Sequence, residues 1–101
     1  MLFDARGFTT ADVKLLQEAH QRGVAHRGWG RAQFATNEFS HYLAIWDTAP
    51  AGEASPARVI VRFLKTGTYA LLVRNKIAAS GTTLRAVLPA LAATRSVVEE
   101  E

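Results

Sequence analysis

The sequence predicts an α+β fold, a small antiparallel meander of three to four strands with an N-terminal and a C-terminal helix. Three observations carry that expectation. Over residues 58–73, two runs rich in β-branched and large apolar residues are separated by a glycine-containing turn, as a hairpin requires. A threonine-capped amphipathic stretch precedes them near the N-terminus. After Gly81, Leu84, Val87, Leu88, Leu91 and Ala92 recur at helical spacing. The chain has 101 residues, 49% of them hydrophobic and 21% charged, the balance of one folded domain with a modest core. Residues 1–95 are assigned to that domain and 96–101 to a frayed acidic tail.

The first helix is expected to start at Thr9 or Thr10. Thr9 with Asp12 forms a variant capping box, and Phe8 can staple onto Val13. Leu15, Leu16, Ala19 and Gly23 then form a narrow apolar stripe, while Lys14, Gln17, Glu18, Gln21 and Arg22 occupy the rest of the surface. Gly23 is the expected stop, and the glycine-rich stretch 26–31 reads as a loop. Over 33–47 the periodicity is divided. Ala35, Phe39, Tyr42, Leu43 and Trp46 fit helical spacing, but 41–47 is rich in aromatic and β-branched residues, so strand is assigned there and 33–40 is open between helix and strand. Two prolines and a glycine make 48–57 a loop.

The strands 58–64 and 69–73 are joined through Gly67. If Thr66 and Gly67 are the two turn residues, Leu64 lies opposite Tyr69, Arg62 opposite Leu71 and Ile60 opposite Val73. One face is then Ile60, Leu64, Tyr69, Leu71 and Val73, interrupted by Arg62; the other is Val59, Val61, Phe63, Ala70 and Leu72. A second turn at Asn75 and Lys76 leads to a short strand, 77–80. Thr82 or Thr83 caps the last helix. Pro89 removes one helical amide and crowds the Arg85 carbonyl, which predicts a kink near Arg85 or a late start.

Both faces of this sheet are apolar, so it needs cover on two sides. Either the helices split between the faces, or residues 28–39 fold over the second face, or two chains stack sheet to sheet. The last is preferred, with Ile60, Phe63, Tyr69 and Leu71 as the expected partner-binding residues of a homodimer or of a complex with another protein.

Signs of catalysis are weak. With no cysteine, thiolate chemistry and thiolate metal sites are excluded. His20, His26 and His41 have no ligand spacing, Ser40, Ser55, Ser80 and Ser96 lack a nucleophile-elbow context, and no carboxylate pair stands out. The expectation is therefore a non-catalytic interaction module with no cofactor and no metal. No stretch of about 18 apolar residues is present, and residues 1–10 lack a signal-peptide core, so a cytoplasmic, non-membrane location is expected.

Two other readings follow from charge and from polar residues. The net charge is +3, and three terminal glutamates leave +6 on the remainder. Arg22, His26, Arg27 and Arg31 surround Trp29, which makes the 20–31 segment the candidate for binding nucleic acid by phosphate contact and base stacking. His41 and Asp47 share one strand parity and are the candidates for a small enzyme or apolar-ligand pocket.

Overall fold

The computed structural model describes residues 7–47 and 55–94. Among them one antiparallel sheet runs in sequence order: β1 Trp29–Thr36, β2 Ser40–Asp47, β3 Arg58–Phe63, β4 Tyr69–Val73 and β5 Lys76–Gly81. Helix α1, Thr10–His26, precedes the sheet; a 3-10 turn, Leu84–Ala86, and the short helix α2, Leu88–Ala92, follow it. The α+β class and the two flanking helices agree with the sequence expectation, but the strands number five. The additional strand is β1, where a loop and an undecided segment were expected. The acidic tail 96–101 and residues 48–54 of the expected loop lie outside the described residues.

The start of α1 is built as its residues dictate. Thr9 Oγ1 accepts the Asp12 amide at 3.0 Å, and Asp12 Oδ2 accepts the Thr9 amide at 3.2 Å, closing the capping box. Phe8 is fully buried, and Val13 packs on the same core. The helix does not stop at Gly23. It runs on to His26, with Arg27 as C-cap and Gly28 at φ +76° taking the left-handed conformation that turns the chain into β1. Gly23 serves close packing instead, since a Cβ there would stand 1.8 Å from the Trp29 ring. The helix is bare at that point so that the largest side chain of the core can lie against it.

The strands pair in a simple meander, and one row across the sheet holds Phe34, Leu43, Ile60, Leu71 and Ala79. The β3–β4 register is two residues from expectation, with Arg62 opposite Tyr69 and Ile60 opposite Leu71. Instead of a two-residue turn, residues 64–67 form the loop: the Phe63 amide bonds the Thr68 carbonyl and the Gly67 amide bonds the Phe63 carbonyl, with Gly67 at φ +73°. An even shift leaves the side chains of 58–63 and 69–73 on their expected faces, while Leu64, expected beside Ile60, Tyr69 and Leu71, falls in the loop and is 41% exposed. The next turn is Arg74 and Asn75, at φ +53° and +70°, one residue earlier than expected, and an irregularity between Leu71 and Leu72 restores the pairing with β5.

Both helices cover the same face. Phe8 and Leu16 from the α1 side and Leu84, Val87 and Leu91 from the C-terminal side join Trp29, Leu43, Ile45, Ile60, Tyr69 and Leu71 in one buried cluster. Pro89 sits in the first turn of α2, preceded by the 3-10 turn, which is the late start its missing amide requires.

Gly23→Ala tests the close approach. Alanine would favour the helix by about 1 kcal/mol, but forcing Trp29 aside costs about 1–3 kcal/mol or more. At 1.8 Å from the ring, the clash wins. Urea unfolding should show net destabilisation of about 2 kcal/mol, whereas Gln21→Ala on the exposed side of α1 should be near neutral or stabilising.

Candidate functional site

The face of the sheet turned away from the helices is the most distinctive surface. Its rows are Ala35, Tyr42, Val61, Ala70 and Ser80, and Gln33, Ala44, Val59, Leu72 and Ile77. Trp46 and Phe63 share the same parity on β2 and β3. None of these side chains belongs to the core cluster, and among the described residues no helix packs over them. Ile77 is 70% exposed and Phe63 41%, while Tyr42, Trp46, Val59 and Leu72 are half-buried. Ala44, Val61 and Ala70 are sunk between these larger neighbours, so the face has a shallow apolar centre. No carboxylate stands in these rows. Arg31 flanks them, its guanidinium 3.8 Å from the Trp46 ring centroid.

At one end the face continues into an apolar knob. Phe39 is 72% exposed and Leu64 41%. The Leu64 amide bonds the Phe39 carbonyl at 2.9 Å, which ties the two hairpin tips together. A cleft of about 660 Å³ opens between Phe39, Phe63 and Leu64, with Glu38, Lys65 and Thr66 at its edge.

Three of the four residues expected at a partner surface lie elsewhere. Ile60 and Leu71 are 0% exposed and Tyr69 5%, because their parity turns them toward the helices. Phe63, the fourth, is on the open face. The other large apolar side chains of the open face are Tyr42, Trp46, Val59, Leu72 and Ile77, and the hairpin alternation already grouped Val59 and Leu72 with Phe63.

The covered face carries its polar groups in two networks. The Tyr69 hydroxyl donates to Asp12 Oδ2, the same oxygen that accepts the Thr9 amide. Arg62 stands 3.8 Å from that carboxylate and donates to the Gly7 carbonyl, with its guanidinium 5.0 Å from the Tyr69 ring centroid. Burial, with the Asp12 bond adding to it, pushes the Tyr69 hydroxyl up to about 12. At the other end, Asp47 bridges Arg58 at 2.9 Å and Arg74 at 3.2 Å, and Arg58 lies over the Trp29 ring at 4.8 Å. Burial lowers the Arg58 pKa, and the Asp47 carboxylate works against that shift.

His41 and Asp47 do not form a site together. They occupy opposite ends of β2, separated by the buried Leu43 and Ile45. His41 Nδ1 accepts the Gly7 amide at 3.2 Å, and Asp47 is held by its two arginines. The basic segment is divided as well. Trp29 is 1% exposed, so no base can stack on it; Arg31 points to the open face, and Arg22 and Arg27 lie on the helix side. His26 is exposed at the end of α1. Among the described residues, no group of three or more His, Cys, Asp or Glu side chains could hold a metal ion, and no helix is long and apolar enough to cross a membrane.

Comparison with known protein families, with curated proteins and with solved structures returns no match for this chain.

The Tyr69 proton sets a pH dependence. Tyrosine in the unfolded chain titrates near 10, so a hydroxyl raised to about 12 contributes stability that is complete below about pH 10 and lost as the pH rises toward 12. Tyr69→Phe should lower stability at pH 8 by about 1–3 kcal/mol. It should also flatten the loss between pH 10 and 11, read from urea midpoints.

Proposed function

We propose that this protein is a non-catalytic association module that pairs with a second copy of itself by stacking their open sheet faces. The observation that carries this reading is an apolar, carboxylate-free sheet face outside the core cluster. Two of the three ways of covering it are closed within the described residues: the helices share the opposite face, and residues 29–36 extend the sheet as β1 rather than folding over it. Within the described residues, a partner is the one of the three ways left.

The dimensions support a second copy. Five strands about 4.8 Å apart and six residues about 3.3 Å each span roughly 24 by 20 Å. That is about 480 Å² in projection and more along the pleats, so two stacked faces bury about 1,000 Å² or more, the threshold of a specific interface. A flat apolar face complements itself, and aligned packing of two such sheets is an ordinary sandwich core. With the two-fold axis along β3, β1 of one protomer lies over β5 of its partner, which keeps the two Arg31 side chains on opposite edges.

Because almost no charge enters this contact, association should withstand salt. Light scattering of the unmodified protein should give the dimer mass at both 50 mM and 1 M sodium chloride. Leu72→Glu and Phe63→Lys, both at accessible positions, should retain the far-UV spectrum yet weaken the dimer about a hundredfold or more, since each places an unpaired charge in an apolar contact. Leu71→Glu, one residue away on the covered face, should instead unfold the chain. A monomer at 100 μM, or one that copurifies with nucleic acid and releases it in salt, contradicts the proposal.

A further inference from the structure

On the helix side, distant from the stacking face, a cleft of about 310 Å³ opens between α1 and the C-terminal helical segment. Arg22 comes to it from α1, Arg27 from the α1 C-cap and Arg85 from the 3-10 turn. Its apolar lining is Ala19, Leu88 and Ala92, with Pro89 and the Trp29 ring completing the wall. Among the described residues, no carboxylate lines it.

The ion pairs among the described residues engage Arg58, Arg62 and Arg74, and none engages the three arginines of this cleft. Arg27 is anchored by its Nε, which donates to the Ala92 carbonyl and holds the guanidinium at the cleft. Arg22 and Arg85 are exposed and make no ion pair among the described residues. Among the described residues no counter-ion meets these three like charges, which repel one another across one cleft, and a low-dielectric wall strengthens their common field. An oxyanion relieves that repulsion, and guanidinium forks match carboxylate and phosphate geometry. The apolar wall selects further, because an inorganic ion would leave it wet.

We infer that this cleft binds a small organic anion, a carboxylate or phosphate monoester on an apolar body the size of one aromatic ring. The head group lies among Arg22, Arg27 and Arg85, and the body rests on Ala19, Leu88 and Ala92, with the buried Trp29 behind them. At about 310 Å³ the space is at the small end of ligand pockets. The site is independent of dimer formation, since it uses the helix side of the sheet.

Trp29 provides the reporter, because its residue lines the cleft and its indole N–H, which donates to the Thr94 carbonyl at 3.3 Å, gives one resolved signal. The ¹⁵N-labelled protein is titrated separately with phenyl phosphate, benzoate, inorganic phosphate, benzyl alcohol and a short single-stranded oligonucleotide. Saturable shifts of the Trp29 indole and the Ala19 and Ala92 amides are expected with phenyl phosphate or benzoate, and weaker binding of inorganic phosphate and benzyl alcohol. Arg22→Gln with Arg85→Gln should weaken the bound anion about tenfold or more while leaving the rest of the spectrum in place. The inference is overturned by the absence of saturable shifts at millimolar ligand, by unchanged affinity in the double variant, by equal binding of inorganic phosphate or benzyl alcohol, or by binding of the oligonucleotide alone.

Discussion

Side chains on a strand alternate between two faces, and in this chain both alternating sets on β2, β3 and β4 are mostly apolar while both helices cover only one of them. The rest of the architecture follows from that imbalance. The helix-covered set, Leu43, Ile45, Ile60, Leu71 and their neighbours, becomes a dry core. Leaving the opposite set wet forgoes roughly 1.5–3 kcal/mol for each large side chain that could be fully buried.

Which face receives the helices is fixed at two polar latches. Asp12 is shared between the helix cap and the Tyr69 hydroxyl, so the first turn of α1 is bonded directly to β4. Tyr69 thereby acts as a core aromatic with one satisfied polar end. At the other end of the sheet, Asp47 neutralises the buried Arg58, which in turn lies over Trp29, and Gly23 lets that ring reach α1. Removing one partner from a buried ion pair leaves an uncompensated charge, so Asp47 and Arg58 are constrained together. This is why Asp47 and His41, polar residues on a strand, hold the structure rather than form a pocket.

The strand alternation in the sequence revealed which side chains share a face, but not which face is covered. Counting parity through 58–73 sorted Val59, Val61, Phe63, Ala70 and Leu72 from Ile60, Tyr69 and Leu71 correctly, even though the turn was misplaced, because the register error was even. Only the contacts of α1 and α2, which are long-range, tell the two sets apart; hence Ile60, Tyr69 and Leu71 were expected at a partner surface and are instead core. The first strand was hidden for a local reason. Its alternation of Ala32 and Phe34 with Gln33 is short, and an irregularity between Trp29 and Ala32 breaks the period where two glycines already suggest a loop. The turn at Arg74 was obscured because arginine gives no signal for a positive φ. The arginine cleft could not be read from sequence, since Arg85 lies about sixty residues from Arg22 and Arg27 and meets them only through helix packing.

Contact between the open face and its own copy is measured most directly by an isotope-filtered NOE experiment on a mixture of uniformly labelled and unlabelled protein. Sheet-to-sheet stacking predicts intermolecular contacts from the methyl groups of Val59, Val61 and Leu72 in one protomer to the rings of Tyr42 and Trp46 in its partner. A dimer with intermolecular contacts confined to other surfaces, or a sample with none at all at millimolar concentration, would contradict it.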